Sequence, residues 1–163
     1  MITKNGAIIY SAQCGYNAGT ESRVLTKING SSSAPNYSTS GLELSGVMQK
    51  NMSSGGTCIQ LGVGDAEPTK NDYYLNETIV DGVNVNNAIP CISAVKSISA
   101  DGNIVYTAIF SNNSSVAYTI KEIGLIQTMY DGNTHYLTAR KLIPPRTIQP
   151  GETATFSYVI AFN

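Results

Sequence analysis

The amino-acid sequence predicts an all-β protein, a β-sandwich of immunoglobulin-like or jelly-roll type with an extended N-terminal arm. Three observations predict this fold class. Apolar and polar residues alternate with a period of two over several short segments, turn-forming residues separate those segments, and helical periodicity is scarce. Short strands spaced by about 8 to 12 residues are typical of both sandwich types.

The candidate strands differ in how many of their faces are apolar. In residues 153–162 large apolar side chains take every second position, which predicts a half-buried strand. Residues 103–110 are apolar on both faces, which predicts a strand in the centre of a sheet. The other candidate strands are residues 57–61, 91–98, 118–129 and 135–143.

Two Asp-Gly pairs separate these strands. Asp101-Gly102 and Asp131-Gly132 each lie between alternating segments, where such a pair is typical of a type I′ turn with positive φ at both central residues. We therefore predict two hairpins, over residues 91–110 and residues 118–143.

Glycine and proline residues interrupt the regular strand pattern in two other segments. Gly124 stands inside a candidate strand and marks either a bulge or a close approach of the backbone. The tract of residues 143–152 contains three prolines, whose missing N–H groups exclude a central strand. We predict an extended edge segment here, ending in a turn at Pro150-Gly151 that leads into the last strand.

Helix is expected in one short segment, and the N-terminal third differs from the rest. Residues 69–75 are compatible with one or two helical turns, with Thr69 as the cap and Asp72 bonding back to it. We predict that residues 1–56 form an arm or assembly segment with short strands, rich in Ser, Asn and Gly, ahead of a β-sandwich domain at residues 57–163. We expect neighbouring chains to hold this arm in place.

Composition argues against several classes of partner. The net charge is −1 and 13% of the residues are charged, so neither nucleic acid nor a membrane is expected as a partner. The first 16 residues lack the pattern of a signal peptide, and no apolar stretch approaches the roughly 20 residues of a membrane span. We therefore expect a soluble protein made in a cytoplasm. Cys14, Cys58 and Cys91 are widely spaced and are expected to be small buried hydrophobes.

Residues that commonly carry catalysis are sparse. The single histidine, His135, is expected to be exposed at the start of a strand, and no Gly-x-Ser-x-Gly elbow accompanies it. Asp65, Glu67 and Asp72 share an oxygen-rich loop, but their spacing departs from the twelve-residue calcium loop, which favours a plain polar loop. We predict no enzymatic activity, no bound metal and no cofactor.

Tyrosine is the one abundant aromatic residue, with ten copies. Tyr73, Tyr74, Tyr130 and Tyr136 are candidates for an interface or a glycan contact, because tyrosine suits both protein interfaces and sugar stacking. Use in strands and core is the ordinary alternative. A carbohydrate- or receptor-binding module is therefore the second hypothesis, and it requires two or three coplanar rings on one exposed face.

A third hypothesis is a glycosidase. Such an enzyme needs two carboxyl groups about 5 to 10 Å apart in a cleft. Glu122 with Glu152 is one pair that the sequence permits without otherwise supporting it.

Four segments of the chain, in order, resemble one recurrent structural domain of tailed-phage virions. In that domain a stretch reading GTGTTAPTPSDTAL is followed by strands reading ITEIGL, LLAR and PPVTIAPGETLTVTYTITF. The corresponding segments here are residues 59–75, residues 120–125 (IKEIGL), residues 137–140 (LTAR) and residues 144–162. Val63 stands where the domain usually has threonine, and residues 1–56 are not part of the pattern.

This resemblance implies a β-sandwich virion component of the kind found in capsid decoration, head-fibre, tail and baseplate accessory proteins. It implies no catalytic residues. The leading hypothesis is a non-enzymatic virion protein that decorates the capsid or belongs to a head fibre or tail. Its expected partners are itself, as a homo-oligomer for which a trimer is one candidate, and virion proteins such as the major capsid or tail proteins. The alternative is a glycan- or receptor-binding module of a tail fibre or baseplate.

Overall fold

The computed structural model describes residues 1–7, 25–33, 59–80, 89–128 and 135–161, and the regular secondary structure within these is almost entirely antiparallel β-strand. One helical turn occupies residues 4–7. The predicted all-β fold class is confirmed. The nine strands of the described residues are β1 (Leu25–Thr26), β2 (Ser32–Ser33), β3 (Ile59–Gly62), β4 (Thr78–Val80), β5 (Cys91–Ile98), β6 (Ile104–Ser111), β7 (Tyr118–Thr128), β8 (His135–Ile148) and β9 (Thr153–Ile160).

These strands form two main sheets and one small hairpin. The four-stranded sheet has the order β4-β3-β7-β8, the three-stranded sheet has the order β5-β6-β9, and β1 pairs with β2. Both predicted hairpins are present as β5–β6 and β7–β8, and β6 is central as its two apolar faces predicted. β1 and β2 are short strands within the arm. β4 was not expected from the sequence, since three residues carry too little alternation.

One hydrophobic cluster contains side chains from both main sheets. The three-stranded sheet contributes alternate residues of β6 and β9, among them Phe110 and Phe156, whose rings meet edge to face at 5.9 Å. The four-stranded sheet contributes Ile59, Ile123 and Leu125, each at most 1% exposed. The strict alternation of buried and exposed residues along β9 confirms the half-buried strand that the sequence predicts.

The opposite face of the four-stranded sheet is also covered. Leu75, Ile126 and Leu137 form a second small cluster there, with Ile28 packed against it. Gly124 allows this packing, because a Cβ atom at that position would lie 2.6 Å from Leu137 Cδ1 and 2.8 Å from Leu75 Cδ2. Close approach, one of the two alternatives predicted for Gly124, is therefore observed, and the approaching atoms belong to side chains. A register shift lies next to it, between residues 125 and 126.

The N-terminal residues extend the four-stranded sheet along the outer edge of β8. The amide of Thr3 donates to the Thr138 carbonyl at 3.0 Å, and the amide of Arg140 donates to the Met1 carbonyl at 2.9 Å. Ile2 forms a single antiparallel bridge with Ala139 between these bonds. The edge of β8 is therefore covered at residues 138–140 by main-chain pairing with the same chain.

The second described part of the arm also packs on the body of the domain. Asn5 bonds both the amide and the carbonyl of Thr26 through its side chain, and Leu25 is fully buried. Contacts within the chain thus hold residues 1–7 and 25–33 against the body of the domain. The expectation that neighbouring chains hold the arm stays a prediction. The remainder of residues 1–56 lies outside the described residues.

The prolines after residue 143 lie inside a strand and not beyond it. β8 continues through Pro144 and Pro145 to Ile148, which corrects the expectation that the strand ends at Ile143. The pairing with β7 shifts register here: Glu122 lies opposite Leu142, and Ile120 lies opposite Arg146, which leaves extra residues in β8. A bulge on an edge strand tolerates the missing N–H groups, as the prediction of an edge segment required.

The β5–β6 turn differs from the predicted type I′ geometry. Gly102 has φ +79°, but no described residue other than glycine has positive φ, so Asp101 does not adopt the second left-handed conformation. The Gly102 amide bonds the Ser99 carbonyl at 2.9 Å, and Ser99 and Asn103 pair next to it. This is the three-residue hairpin loop in which a type I turn is followed by one left-handed glycine.

Gly102→Ala is expected to destabilise the chain by about 1 kcal/mol, because alanine is strained at this φ. Nothing lies within 4 Å of a Cβ atom at this position, so the effect is conformational and not a clash. Urea unfolding measures it, with the exposed Ala100→Ser as the control, for which a change below about 0.5 kcal/mol is expected. Equal stability of both variants would contradict the turn geometry.

No helix within the described ranges is long and apolar enough to cross a membrane.

Candidate functional site

A buried ion network, formed by Asp72, Glu122 and Arg140, joins the 63–77 loop to β7 and β8. Three guanidinium nitrogens of Arg140 donate to three different acceptors. Nε bonds Glu122 Oε2 at 2.7 Å, Nη1 bonds Asp72 Oδ2 at 2.6 Å, and Nη2 bonds the Ala66 carbonyl at 2.8 Å. The side chains of Arg140 and Glu122 are 4% and 0% exposed, so solvent barely reaches their ion pair.

Strand register brings Glu122 and Arg140 together. Arg140 of β8 lies opposite Gly124 of β7, which places it diagonally from Glu122 on the same face. The alternate residues Ile123 and Leu125 point into the main core instead. The two charged residues therefore project from the outer face of the sheet, where the 63–77 loop crosses it.

Two glycines make room for the Glu122 carboxylate. A Cβ atom at Gly62 would lie 2.5 Å from Glu122 Oε1, and one at Gly64 would lie 2.7 Å from the same oxygen. The amide of Glu77, at the other end of the loop, donates to Oε1 at 3.0 Å. Gly62-x-Gly64 thus has a steric role beside a buried carboxylate, and both ends of the loop meet Glu122.

Asp72 fixes a tight turn in the middle of the loop. Its carboxylate accepts bonds from the amide and the hydroxyl of Thr69 at 2.8 and 2.6 Å, and its amide donates to the Thr69 carbonyl at 3.2 Å. The predicted bond from Asp72 back to Thr69 is confirmed. The predicted helix is wrong, because only a turn forms here and Asp72 then turns toward Arg140.

The network also affects the pKa of Asp72. Burial favours the neutral acid, but the hydrogen bonds from Thr69 and the hydrogen bond and charge of Arg140 outweigh it, so the pKa lies below its ordinary value. A carboxyl group with a lowered folded pKa stabilises the fold above its unfolded pKa, and this contribution is lost as the pH falls through the folded pKa.

Asp72→Asn is therefore expected to lower the free energy of unfolding at pH 7 by about 1–2 kcal/mol. The difference from the wild type is expected to shrink as the pH falls below about 4, the ordinary range of aspartate. Urea unfolding between pH 7 and pH 2.5 measures both quantities. The control is Asp65→Asn, whose carboxylate forms an exposed pair with Lys121 and should show little difference at any pH. A constant deficit for Asp72→Asn at every pH would contradict the charge-based contribution.

The four tyrosines predicted as contact residues do not form one surface. Tyr73 and Tyr74 lie side by side with ring centroids 4.7 Å apart, but their planes are inclined by 58°, and Tyr74 is the more exposed at 47%. Tyr136 is 1% exposed, which corrects its assignment as a contact residue. Both faces of the sheet are covered where β8 begins, so Tyr136 and its neighbour Leu137 are both buried. Tyr130 lies outside the described residues.

The described tyrosines therefore do not provide the coplanar rings that the glycan-binding hypothesis requires. Tyr118, the first residue of β7, is partly buried and packs against the cluster to which both main sheets contribute.

Outside the ion network, the carboxylates considered for metal binding or glycoside cleavage do not share a partner. Asp65 bonds Lys121 at 3.1 Å on the surface, and Glu67 is exposed. Glu152 accepts a bond from the Gln149 amide at 2.9 Å in the turn before β9, whereas Glu122 is committed to Arg140. Within the described residues no group of three or more His, Cys, Asp or Glu side chains could hold a metal ion.

His135 and Cys91 are not part of the ion network. His135 is the first residue of β8, at the strand start that the sequence predicts. Cys91 is half-buried at the start of β5, and desolvation raises the pKa of its thiol. Cys14 and Cys58 lie outside the described residues.

The ion network was not predicted from the sequence, although all three of its charged residues lie in the motifs described above. Asp72 and Arg140 are 68 positions apart, so no local spacing relates them. The available signal was a glutamate and an arginine inside candidate strands rich in apolar residues, since a buried charge requires a partner.

Comparison of the chain with protein-family models, with curated proteins and with solved structures finds no significant match.

Proposed function

We propose that this chain is a non-enzymatic structural component of a tailed-phage virion, an accessory protein that decorates the capsid or belongs to a head fibre or tail. One observation carries the proposal: three of the four segments that resemble the virion domain meet in the ion network. Residues 59–75 supply Asp72 and the Ala66 carbonyl, IKEIGL supplies Glu122, and LTAR supplies Arg140. A shared structural task for these separate motifs supports the view that they belong to one domain type.

The bonding of the network favours a structural role over a chemical one. Glu122 and Asp72 share one guanidinium group, and backbone or hydroxyl donors complete their bonding. Charged groups that form ion pairs and hydrogen bonds with one another beneath a loop fix the position of that loop. A catalytic acid or base would instead need an open path to a substrate.

We also propose that the two main sheets form a β-sandwich. The support is the single hydrophobic cluster to which both sheets contribute their inner faces. Counted along the chain from β3 to β9, the third, fourth and seventh strands (β5, β6 and β9) share a sheet here. In the constant-type immunoglobulin arrangement, the third, sixth and seventh of seven strands share a sheet. The proposal is accordingly a sandwich without an assignment to the immunoglobulin or jelly-roll type.

The proposed partners are further copies of the chain and other virion proteins, such as the major capsid or tail proteins, contacted through strands and the N-terminal arm. Apolar and backbone contacts are expected to dominate, because the chain carries few charges. Deleting residues 1–56 is not a clean test of these contacts. It would also remove Leu25 from the interior and residues 1–3 from the edge of β8.

The proposal is tested by isolating particles from a lysate of cells that produce the phage encoding this chain. An antibody to the chain is used on density-gradient fractions and, with gold label, in negative-stain microscopy. The expected result is a constant ratio of chain to major capsid protein across the particle band, with gold at one part of the particle. Recovery only in the fractions that hold a host cytoplasmic control protein would overturn the proposal.

A further inference from the structure

Two segments of the chain lie on the outer face and along the β8 edge of the four-stranded sheet, and together they are called the cover layer. One is the 63–77 loop, which Arg140 and Glu122 bond to the sheet. The other is the described part of the arm, residues 1–7 and 25–33. The side chain of Asn5 joins these two pieces of the arm through its bonds to the main chain of residue 26, at 2.6 and 3.0 Å.

The arm and the loop also contact each other. The amide of Lys4 donates to the Lys70 carbonyl in the loop at 2.7 Å. Ile28 packs against the outer-face cluster, to which the loop contributes Leu75. Each piece of the arm therefore rests partly on the loop, and movement of the loop away from the sheet would break contacts of both pieces.

Arg140 holds both parts of the cover layer. Its side chain donates to Asp72 and to the Ala66 carbonyl in the loop. Its main chain pairs with the arm, since the Arg140 amide donates to the Met1 carbonyl at 2.9 Å and the Met1 amino group donates to the Arg140 carbonyl at 2.6 Å. One residue of β8 thus anchors the loop and the arm at the same place.

The cover layer rests on less apolar surface than the two main sheets share. Among the described residues, the outer-face cluster beneath the layer contains three buried side chains, whereas the cluster between the sheets contains fifteen. Segments with few buried apolar contacts open at a lower free energy than the core does. The layer is therefore expected to open before the sheets separate.

We propose that the cover layer is a conformational device in which the arm and the 63–77 loop open together, and that the bond between Asp72 and Arg140 holds it closed. Opening uncovers the main-chain groups of residues 138–140 and the side chain of Leu137. An uncovered edge of this kind pairs with other strands, so the closed layer blocks pairing at β8 and the open layer permits it. The device does not depend on the virion role.

Native-state hydrogen exchange of the whole chain, followed by NMR, tests the device in Asp72→Asn. The loop is reported by the Glu77 amide, which bonds Glu122. The arm is reported by the amides of Thr3 and Thr26, which bond groups outside the loop. If the loop and the arm open together, all three exchange rates are expected to rise by the same factor, about fivefold to thirtyfold.

Asp65→Asn is the matched control for this variant. Asp65 belongs to the same loop but forms an exposed ion pair with Lys121, so its substitution is expected to change the three rates by less than about twofold. In the wild type, the three amides are expected to be at least about tenfold less protected than the Ala108 amide in the central strand β6.

Asn5→Ala tests the same coupling from the side of the arm. It removes the two bonds between the pieces of the arm and leaves the ion network in place. Because coupling between two parts of a structure is reciprocal, the exchange rate of the Glu77 amide is expected to rise by the same factor as that of Thr3. Ser32→Ala, at an exposed position of the arm, is the control and is expected to change neither rate.

Either of two results would overturn the proposal. One is faster exchange of Glu77 in Asp72→Asn with Thr3 and Thr26 unchanged, which would show that the loop and the arm open separately. The other is equal protection of these amides and Ala108 in the wild type, which would show that the layer opens only when the whole chain unfolds. Neither result bears on the virion role, which the particle fractions test.

Discussion

Arg140→Met is expected to destabilise the folded chain by about 3–5 kcal/mol, the cost typical of removing one partner from a buried ion pair. The substitution keeps much of the side-chain length but leaves Glu122, which is 0% exposed, without its counter-charge. It also releases Asp72 and the Ala66 carbonyl, so the 63–77 loop loses two bonds to the sheet. Since domains of this kind are stable by about 5–15 kcal/mol, the expected loss is a large fraction of the total.

Urea unfolding followed by circular dichroism measures the loss, and Lys121→Ala is the matched control. Lys121 forms an ion pair with Asp65 in which the two side chains are 39% and 78% exposed. Removal of this surface pair is expected to cost under about 1 kcal/mol. Similar costs for the two variants would contradict the structural importance of the buried network.

Two further variants keep the test informative if Arg140→Met does not fold. Arg140→Lys retains the charge but supplies one nitrogen where three are used, so it is expected to recover only part of the stability. Adding Glu122→Gln to Arg140→Met removes the uncompensated buried charge and is expected to be more stable than Arg140→Met alone.

Phe110→Ala is expected to destabilise the chain by about 3–5 kcal/mol, because it removes a fully buried ring and leaves a cavity. Phe110 contacts Phe156 edge to face and belongs to the cluster to which both main sheets contribute. The expected loss of stability therefore reports on the packing between the two sheets, on which the proposed sandwich depends.

Thermal and urea unfolding measure this variant against Val95→Ala. Val95 is 56% exposed on the same three-stranded sheet, and its truncation is expected to change stability by no more than about 0.5 kcal/mol. A cost below about 1 kcal/mol for Phe110→Ala would show that its site is not a close-packed interior.

The elements that could be predicted from the sequence are those whose residue pattern lies within a short segment of the chain. The alternation in β9 and the turn residues between β5 and β6 both lie within ten residues, and both elements were found. Even there the turn type was wrong, because one left-handed glycine was enough for a three-residue loop. The continuation of β8 through Pro144 and Pro145 was missed because a bulge opposite β7 depends on the partner strand.

The candidate site was less predictable than the fold. The assignment of Tyr136 to a surface failed because burial on both faces of β8 depends on segments distant in sequence. The ion network requires Asp72 to meet Arg140 across 68 positions, and no periodicity encodes that meeting. The segments that resemble the virion domain contain the three residues of the network, but a resemblance gives no physical reason for their presence.

The spacing of the ion network along the chain has a consequence for the order of folding. Glu122 and Arg140 are 18 positions apart in the β7–β8 hairpin, whereas the bond from Arg140 to Asp72 spans 68. Closing the shorter segment costs less conformational entropy, so the hairpin is expected to bring Glu122 and Arg140 together before the loop arrives. Substitution of Asp72 should then accelerate unfolding and leave the refolding rate nearly unchanged, which stopped-flow measurements can detect. The 63–77 loop would be the last part of this region to fold and the first to unfold.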